Sequence, residues 1–236
     1  MRIAMWSGPR NLSTAMMYAF GNRPDCAIWD EPFYAAYLAA TGLDHPMRDE
    51  IIAGGETDPE RVAARCTGSV PAGKRHFYQK HMAHHMIDGF PRGWMSELSN
   101  VFLVRHPARV VASYVRKRER PTLDDLGYRR LMDLHDHAVT LGQSPTVIDS
   151  ADIRADPRAA LTRLCDRLGL PFEAAMLWWP SGGHRDDGPW APHWYGAVHR
   201  STGFDGPEDP LPDLDGDYAD LVHKAMPWYE ELAART

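Results

Sequence analysis

The sequence predicts an α/β fold: a mostly parallel, five-stranded sheet flanked by helices. Three observations carry that expectation. Five short, largely apolar runs of strand length recur at residues 3–6, 25–30, 75–82, 100–105 and 145–148. The segments between them space their apolar side chains as helices do, and alternation of this kind implies parallel pairing with helices on both faces of the sheet. A hydrophobic content of 44% over 236 residues supplies one sizeable core. A single domain spanning 1–236 is therefore expected.

The first run passes through Ser7, Gly8 and Pro9 into Arg10–Asn11–Leu12–Ser13–Thr14 and then a helical segment. A strand feeding a tight turn that opens a helix gathers free backbone N–H groups. Arg10, Asn11, Ser13 and Thr14 add side-chain donors there, a set suited to phosphate or sulfate. The second run ends in the acidic pair Asp30 and Glu31 and breaks at Pro32. A carboxylate at such a tip lies at the edge where α/β proteins bind ligands. Residues 33–40 read as helix, 42–58 as a mobile connection rich in turn formers and charge, and 59–65 as a short helix. The third run, RHFYQKHM, carries Lys80 and His81 at its end.

The fourth run, NVFLVR, ends at Arg105, and Pro107 opens a helix over 107–118 with Val110, Val111 and Tyr114 on its apolar face. A longer helix is expected over 122–141. The fifth run follows, and then a helix over 156–168 framed by an Asp-Pro start and Gly169. Residues 178–212 are crowded with Gly, Pro, Trp and His and show no period, so they read as an irregular flap over a site. An amphipathic helix over 218–234 closes the chain.

Net charge is −6 and the pI is near 6.0, which argues against a nucleic-acid partner and makes any anion site local. Cys26, Cys66 and Cys165 are far apart and form no CxxC pair, against a disulfide framework or a thiolate zinc site. His81 and His85 are four apart, but no HExxH pattern or third ligand accompanies them, so no metal is expected. There is no signal-peptide pattern and no run of membrane-spanning length, and with the cysteine usage this points to a cytoplasmic location. No heptad seam speaks to oligomeric state.

The Walker pattern GxxxxGK[ST] is absent, since Ser7 and Leu12 hold its glycine positions and Ser13 its lysine position. The loop GPRNLST, with Arg105 and Ser113 eight residues apart in RHPARVVASYVRKR and the stretch SADIRADPRAALTRLCDRLGLPF, resembles instead the sulfotransferases that use 3′-phosphoadenosine 5′-phosphosulfate (PAPS). The resemblance implies a P-loop-like three-layer sandwich. It implies that Gly8, Pro9, Arg10, Asn11, Leu12, Ser13 and Thr14 cradle the 5′-phosphosulfate while Arg105 and Ser113 hold the 3′-phosphate. A guanidinium fork and a hydroxyl suit a dianionic phosphate. In the family, glycine usually stands where Leu12 does, and lysine often stands where Arg10 does.

Sulfonyl transfer needs a held donor, positive charge at the leaving oxygen and a base near the nucleophile. Arg10 supplies the charge. By resemblance the base is Glu31 or His81, with His84 in reserve, and Glu31 is preferred. Lys80 is a sulfate ligand, and Arg185 or Arg200 of the flap closes on the 3′-phosphate. The acceptor is a small molecule or carbohydrate bearing a hydroxyl or amine, and the product nucleotide is adenosine 3′,5′-bisphosphate. Two alternatives stand beside this reading: a P-loop kinase-like phosphotransferase and a catalytically silent nucleotide-binding module.

Overall fold

The computed structural model describes residues 1–71, 73–116 and 120–236. From the N-terminus, β1 (Arg2–Ser7), α1 (Ser13–Gly21) and β2 (Cys26–Asp30) are followed by α2 (Tyr34–Thr41), α3 (Arg48–Gly54) and α4 (Pro59–Cys66). Next come β3 (His76–Met82), two 3-10 turns (Ala83–His85 and Gly93–Glu97), β4 (Ser99–Val104), α5 (Pro107–Arg116) and α6 (Tyr128–Thr140). Then follow β5 (Thr146–Asp149), α7 (Ser150–Ala155), α8 (Pro157–Leu168) and a third 3-10 turn (Ala174–Leu177). The single-turn helices α9 (Ala191–Trp194) and α10 (Gly196–His199) precede the long α11 (Gly216–Ala233).

The five strands form one sheet in the order β2-β3-β1-β4-β5, and every pairing is parallel. The expected α/β architecture is thus observed. β1 lies at the centre, with Met5 opposite Lys80 and Val101, and Trp6 opposite His81 and Phe102. The strand period of two sorts these side chains into two layers. Ile3, Met5, Val101 and Leu103 pack with α1, α2 and α8, whereas Ala4, Trp6, Phe102 and Val104 pack with α4, α6 and Leu232 of α11. Both faces of the sheet are therefore covered, as parallel strands require.

Local chemistry sets the helix ends. Asp156 accepts a hydrogen bond from Ala159 N at 2.9 Å with Pro157 at the first helical position, and Asp58 does the same for Glu60 N before Pro59. Three expectations need correction. Residues 42–58 include the ordered helix α3, which pins Ile51 in the core. The helix expected from 122 begins only at Tyr128, because Thr122 and Asp125 bond to each other in a turn and Gly127 takes φ +76°. Helix α7 was not foreseen; Asp149 caps it directly from β5 by accepting from Ala151 N at 2.8 Å. Of the helix expected over 107–118, Lys117 and Arg118 lie outside the described residues. No helix among the described residues is long and apolar enough to cross a membrane.

Candidate active site

The strand tips converge on a cavity of about 760 Å³. β1 delivers the loop Pro9–Thr14, β2 delivers Glu31, β3 delivers Lys80 and β4 delivers Arg105; all of these line the cavity, as does Ser113 of α5. The two basic elements meet directly, since Arg105 Nη1 donates to the Arg10 carbonyl at 2.8 Å.

The loop keeps its tight course without glycine at its strained positions. Arg10 (φ 62°) and Leu12 (φ 68°) both adopt the left-handed region, at a cost of about 1–2 kcal/mol per residue for a side chain with Cβ. Gly8 is required for another reason: a Cβ there would lie 2.5 Å from the Leu126 carbonyl oxygen. Leu12 stands at the N-terminal boundary of α1 and makes no side-chain capping bond, so it leaves the first backbone N–H groups of the helix uncapped. The Arg10 guanidinium lies 5.2 Å from the Tyr114 ring centroid and 5.3 Å from that of Trp194, between α5 and the late segment. Asn11 donates to the Leu103 carbonyl at 3.2 Å, while its buried Oδ1 has no hydrogen-bond partner among the described residues.

At the other wall, Lys80 Nζ donates to Asp30 Oδ1 at 3.0 Å, Glu31 Oε1 at 2.5 Å and Tyr195 Oη at 2.6 Å. These bonds use all three ammonium hydrogens. Tyr195 Oη lies 2.9 and 2.8 Å from the two Asp30 oxygens and accepts from Trp190 Nε1 at 2.9 Å. Gly188 N donates to Asp30 Oδ2 at 3.1 Å, so the late segment is fastened to the tip of β2. Two carboxylates face one ammonium in a buried place. Burial therefore raises Asp30 above the ordinary carboxylate range: Lys80 pulls it down, but not enough to offset burial and the Glu31 charge. Lys80 is held above its usual value because the two carboxylates outweigh its own burial. Glu31 takes φ 43°, a strained conformation of the kind that gathers at functional sites.

The histidines divide by face. His81 does not reach the cavity; its ring stacks on Trp6 at 4.5 Å in the opposite layer, beside Phe33 and Trp94, and burial pushes its pKa down to about 3. Strand alternation is the cause: Lys80 points to one face, so His81 must point to the other. His84 and His85 do line the cavity, kept neutral by burial, with His84 lowered to about 4 and His85 well below its usual value. Arg185 and Arg200 of the expected flap are exposed and do not line the cavity; Arg185 pairs with Asp186. From the late segment it is Glu208 that meets Arg105, accepting from its Nε at 3.1 Å and also from its Nη2.

With this geometry established, comparison with known proteins is direct. A family model described as a sulfotransferase domain matches residues 1–236. The chain belongs to the sulfotransferase family. Solved members share its architecture: the sulfotransferase domain from the curacin biosynthetic pathway superposes with a TM-score of 0.54 at 16% identity, covering 95% of this chain and 96% of that one. A sulfotransferase from Alicyclobacillus acidocaldarius gives 0.55 at 12% identity over 98% and 94%. At such identities the likeness shows the fold alone.

Two Arabidopsis thaliana proteins, named branched-chain-amino-acid aminotransferase-like proteins 2 and 1, are 36% identical over 230 residues and 38% identical over 231. Each match takes in 98% of this sulfotransferase-family chain and 41% of the relative, so the chain spans about two fifths of their length.

Sequence reasoning missed Tyr195, Trp190 in its bonding role, Arg109 and Glu208. Tyr195 reaches Lys80 across 115 positions and Glu208 reaches Arg105 across 103. Only the excess of aromatic and polar residues in the late segment hinted at either.

Proposed function

We propose that this sulfotransferase-family chain moves a sulfonyl group from PAPS to the hydroxyl or amine of a small-molecule or carbohydrate acceptor. The observation that carries the reading is the convergence of residues 9–14 with Arg105 and Ser113 on one cavity, where the Arg10 and Arg105 side chains supply two cations within one hydrogen-bonded unit. The donor set fits a nucleotide with charge at both ends: an uncapped helix entrance and Arg10 for the 5′ side, Arg105 and Ser113 for the 3′-phosphate. Bound there, PAPS supplies the activated sulfonyl group.

The chain's own residues do the rest. Arg10 offsets negative charge at the leaving oxygen, and as a guanidinium it donates hydrogen bonds without losing its proton. Glu31, at the strand tip in the same cavity, takes the proton from the acceptor. Lys80 has its three hydrogens directed at Asp30, Glu31 and Tyr195; its role in this reading is to fix the Glu31 carboxylate rather than to grip sulfate. Tyr34, Tyr37 and His85 form an aromatic wall beside Glu31 for the acceptor's apolar body.

Calorimetric binding of adenosine 3′,5′-bisphosphate, AMP and ATP tests the donor half. The bisphosphate is expected to bind about 10- to 100-fold more tightly than AMP, the value of one or two charge-assisted bonds, with the preference lost in Arg105→Ala. Equal binding of bisphosphate and AMP contradicts the reading. Tight binding of the bisphosphate with no transfer of labelled sulfonyl group across a broad acceptor panel contradicts the catalytic half.

A further inference from the structure

We infer that Glu208 is a positioning residue for Arg105, and that Arg109 holds Glu208 to that task. The inference rests on the donor reading above and adds a part to the same site. Arg105 lines the cavity while Glu208 and Arg109 do not, so the carboxylate meets the guanidinium from outside the ligand space. Glu208 Oε1 takes the edge formed by Nε and Nη2, and the Arg10 carbonyl takes Nη1. A guanidinium carries five N–H hydrogens, so one remains on Nη1 and one on Nη2 for a ligand. The backbone is fixed too, because the Tyr128 hydroxyl donates to the Arg105 carbonyl at 2.6 Å.

Glu208 is itself held. Its side chain is only 6% exposed although it belongs to the irregular stretch between α10 and α11. Its Oε2 lies 2.8 Å from Arg109 Nε in an ion pair, although it accepts no hydrogen bond among the described residues, and Arg109 Nη2 donates to the carbonyl of Asp209. Arg109 stands one helical turn before Ser113 on α5, so the helix that presents the hydroxyl also anchors the carboxylate. Two guanidinium groups against one carboxylate leave the cluster with a net positive charge, so attraction for a phosphate survives the pairing.

Positioning and competition predict opposite signs. Removing the Glu208 charge makes the surroundings more positive, which by Coulomb attraction alone tightens a phosphate. Loss of orientation at Arg105 loosens it. The experiment is calorimetric binding of adenosine 3′,5′-bisphosphate and of AMP to the whole chain as wild type, Glu208→Ala, Glu208→Gln and Arg109→Lys.

The bisphosphate-over-AMP ratio is expected to fall about tenfold in Glu208→Ala, with AMP affinity unchanged. Glu208→Gln, whose amide oxygen still accepts from both nitrogens, is expected to recover most of the ratio. Arg109→Lys keeps the positive charge but loses the guanidinium's paired contacts to Glu208 and the Asp209 carbonyl, so a lowered ratio there reports orientation rather than charge, and it carries the test should the alanine variant not fold. Equal weakening of both nucleotides marks a merely structural role and overturns the inference. Tighter bisphosphate binding marks Glu208 as a competitor and also overturns it, as does an unchanged ratio in Glu208→Ala. A wild type that does not prefer the bisphosphate overturns the donor reading, and the assignment with it; that failure is visible before any variant is made.

Discussion

Replacing Lys80 by methionine removes the cation that two buried carboxylates share. Lys80 and Asp30 side chains are each 1% exposed and Glu31 is 9% exposed. Methionine fills much of the volume of the lysine stem, so the change is mainly electrostatic. Breaking a buried pair from one side costs about 3–5 kcal/mol, because the remaining charge is left without compensation. At roughly 2–4 °C per kcal/mol for a chain of this length, the melting temperature should fall by about 6–20 °C near pH 8.

The loss should depend on pH in a defined direction. Asp30 is already raised by burial with Lys80 in place, and the variant removes what holds it down, so its pKa rises further. A carboxyl raised on folding stabilises the protein fully below its unfolded pKa of about 3.9 and loses that contribution as pH rises through the folded value. The gap between wild type and Lys80→Met should therefore be widest near pH 8 and narrow toward pH 5.5, and Asp30→Asn in the same chain should narrow it at both. Urea unfolding of the three proteins at the two pH values measures this, and taking differences at each pH cancels titrations common to all. A loss below about 1 kcal/mol at pH 8 would mean that Lys80 is no more than a solvated strand end. A gap that widens in acid would refute the charge account.

Two further outcomes are expected. His81 and His85 are buried and His84 half-buried, all held neutral, with pKa values pushed to about 3 for His81, about 4 for His84 and well below the usual 6.5 for His85, so the unfolded chain binds more protons in mild acid. Stability is complete above pH 6.5 and should fall below it, by up to about 1.4 kcal/mol per pH unit for each histidine; His81→Phe should give a shallower slope in melting temperature between pH 7 and 5, and an unchanged slope would contradict the assignment. At position 12, glycine should be more stable than alanine by about 0.5–1 kcal/mol, the left-handed cost less the extra entropy of glycine. Denaturant midpoints that rank Leu12→Ala above Leu12→Gly would show that the loop relaxes to negative φ.

What the residues announced in advance was local. A strand, a turn dense in donors and a helix lie within twenty positions, and the Arg105–Ser113 spacing lies within one strand end and one helix. Such signals survive without knowledge of the rest of the chain. Alternation along RHFYQKHM is local too, and it sends Lys80 and His81 to opposite faces. Contacts across a hundred positions left no comparable trace: nothing in the residues around Tyr195 marks a hydroxyl destined for Asp30, and nothing around Glu208 marks a carboxylate destined for Arg105. Helix α3 was hidden by its short length and by polar neighbours, since Ile51 alone of its residues is buried. The late arginines were chosen for charge and composition, which do not determine which way a loop side chain turns.

The left-handed residues of the first loop bear on how an anion is received. A leucine or arginine samples fewer backbone states in the unfolded chain than glycine does, so ordering such a loop loses less conformational freedom. The strain at Arg10 and Leu12 is met when the chain folds, not when a ligand arrives. A glycine loop can close around its guest; this one is preorganised, its shape already cast, and what it gains in readiness it gives up in capacity to adapt to anions of another size.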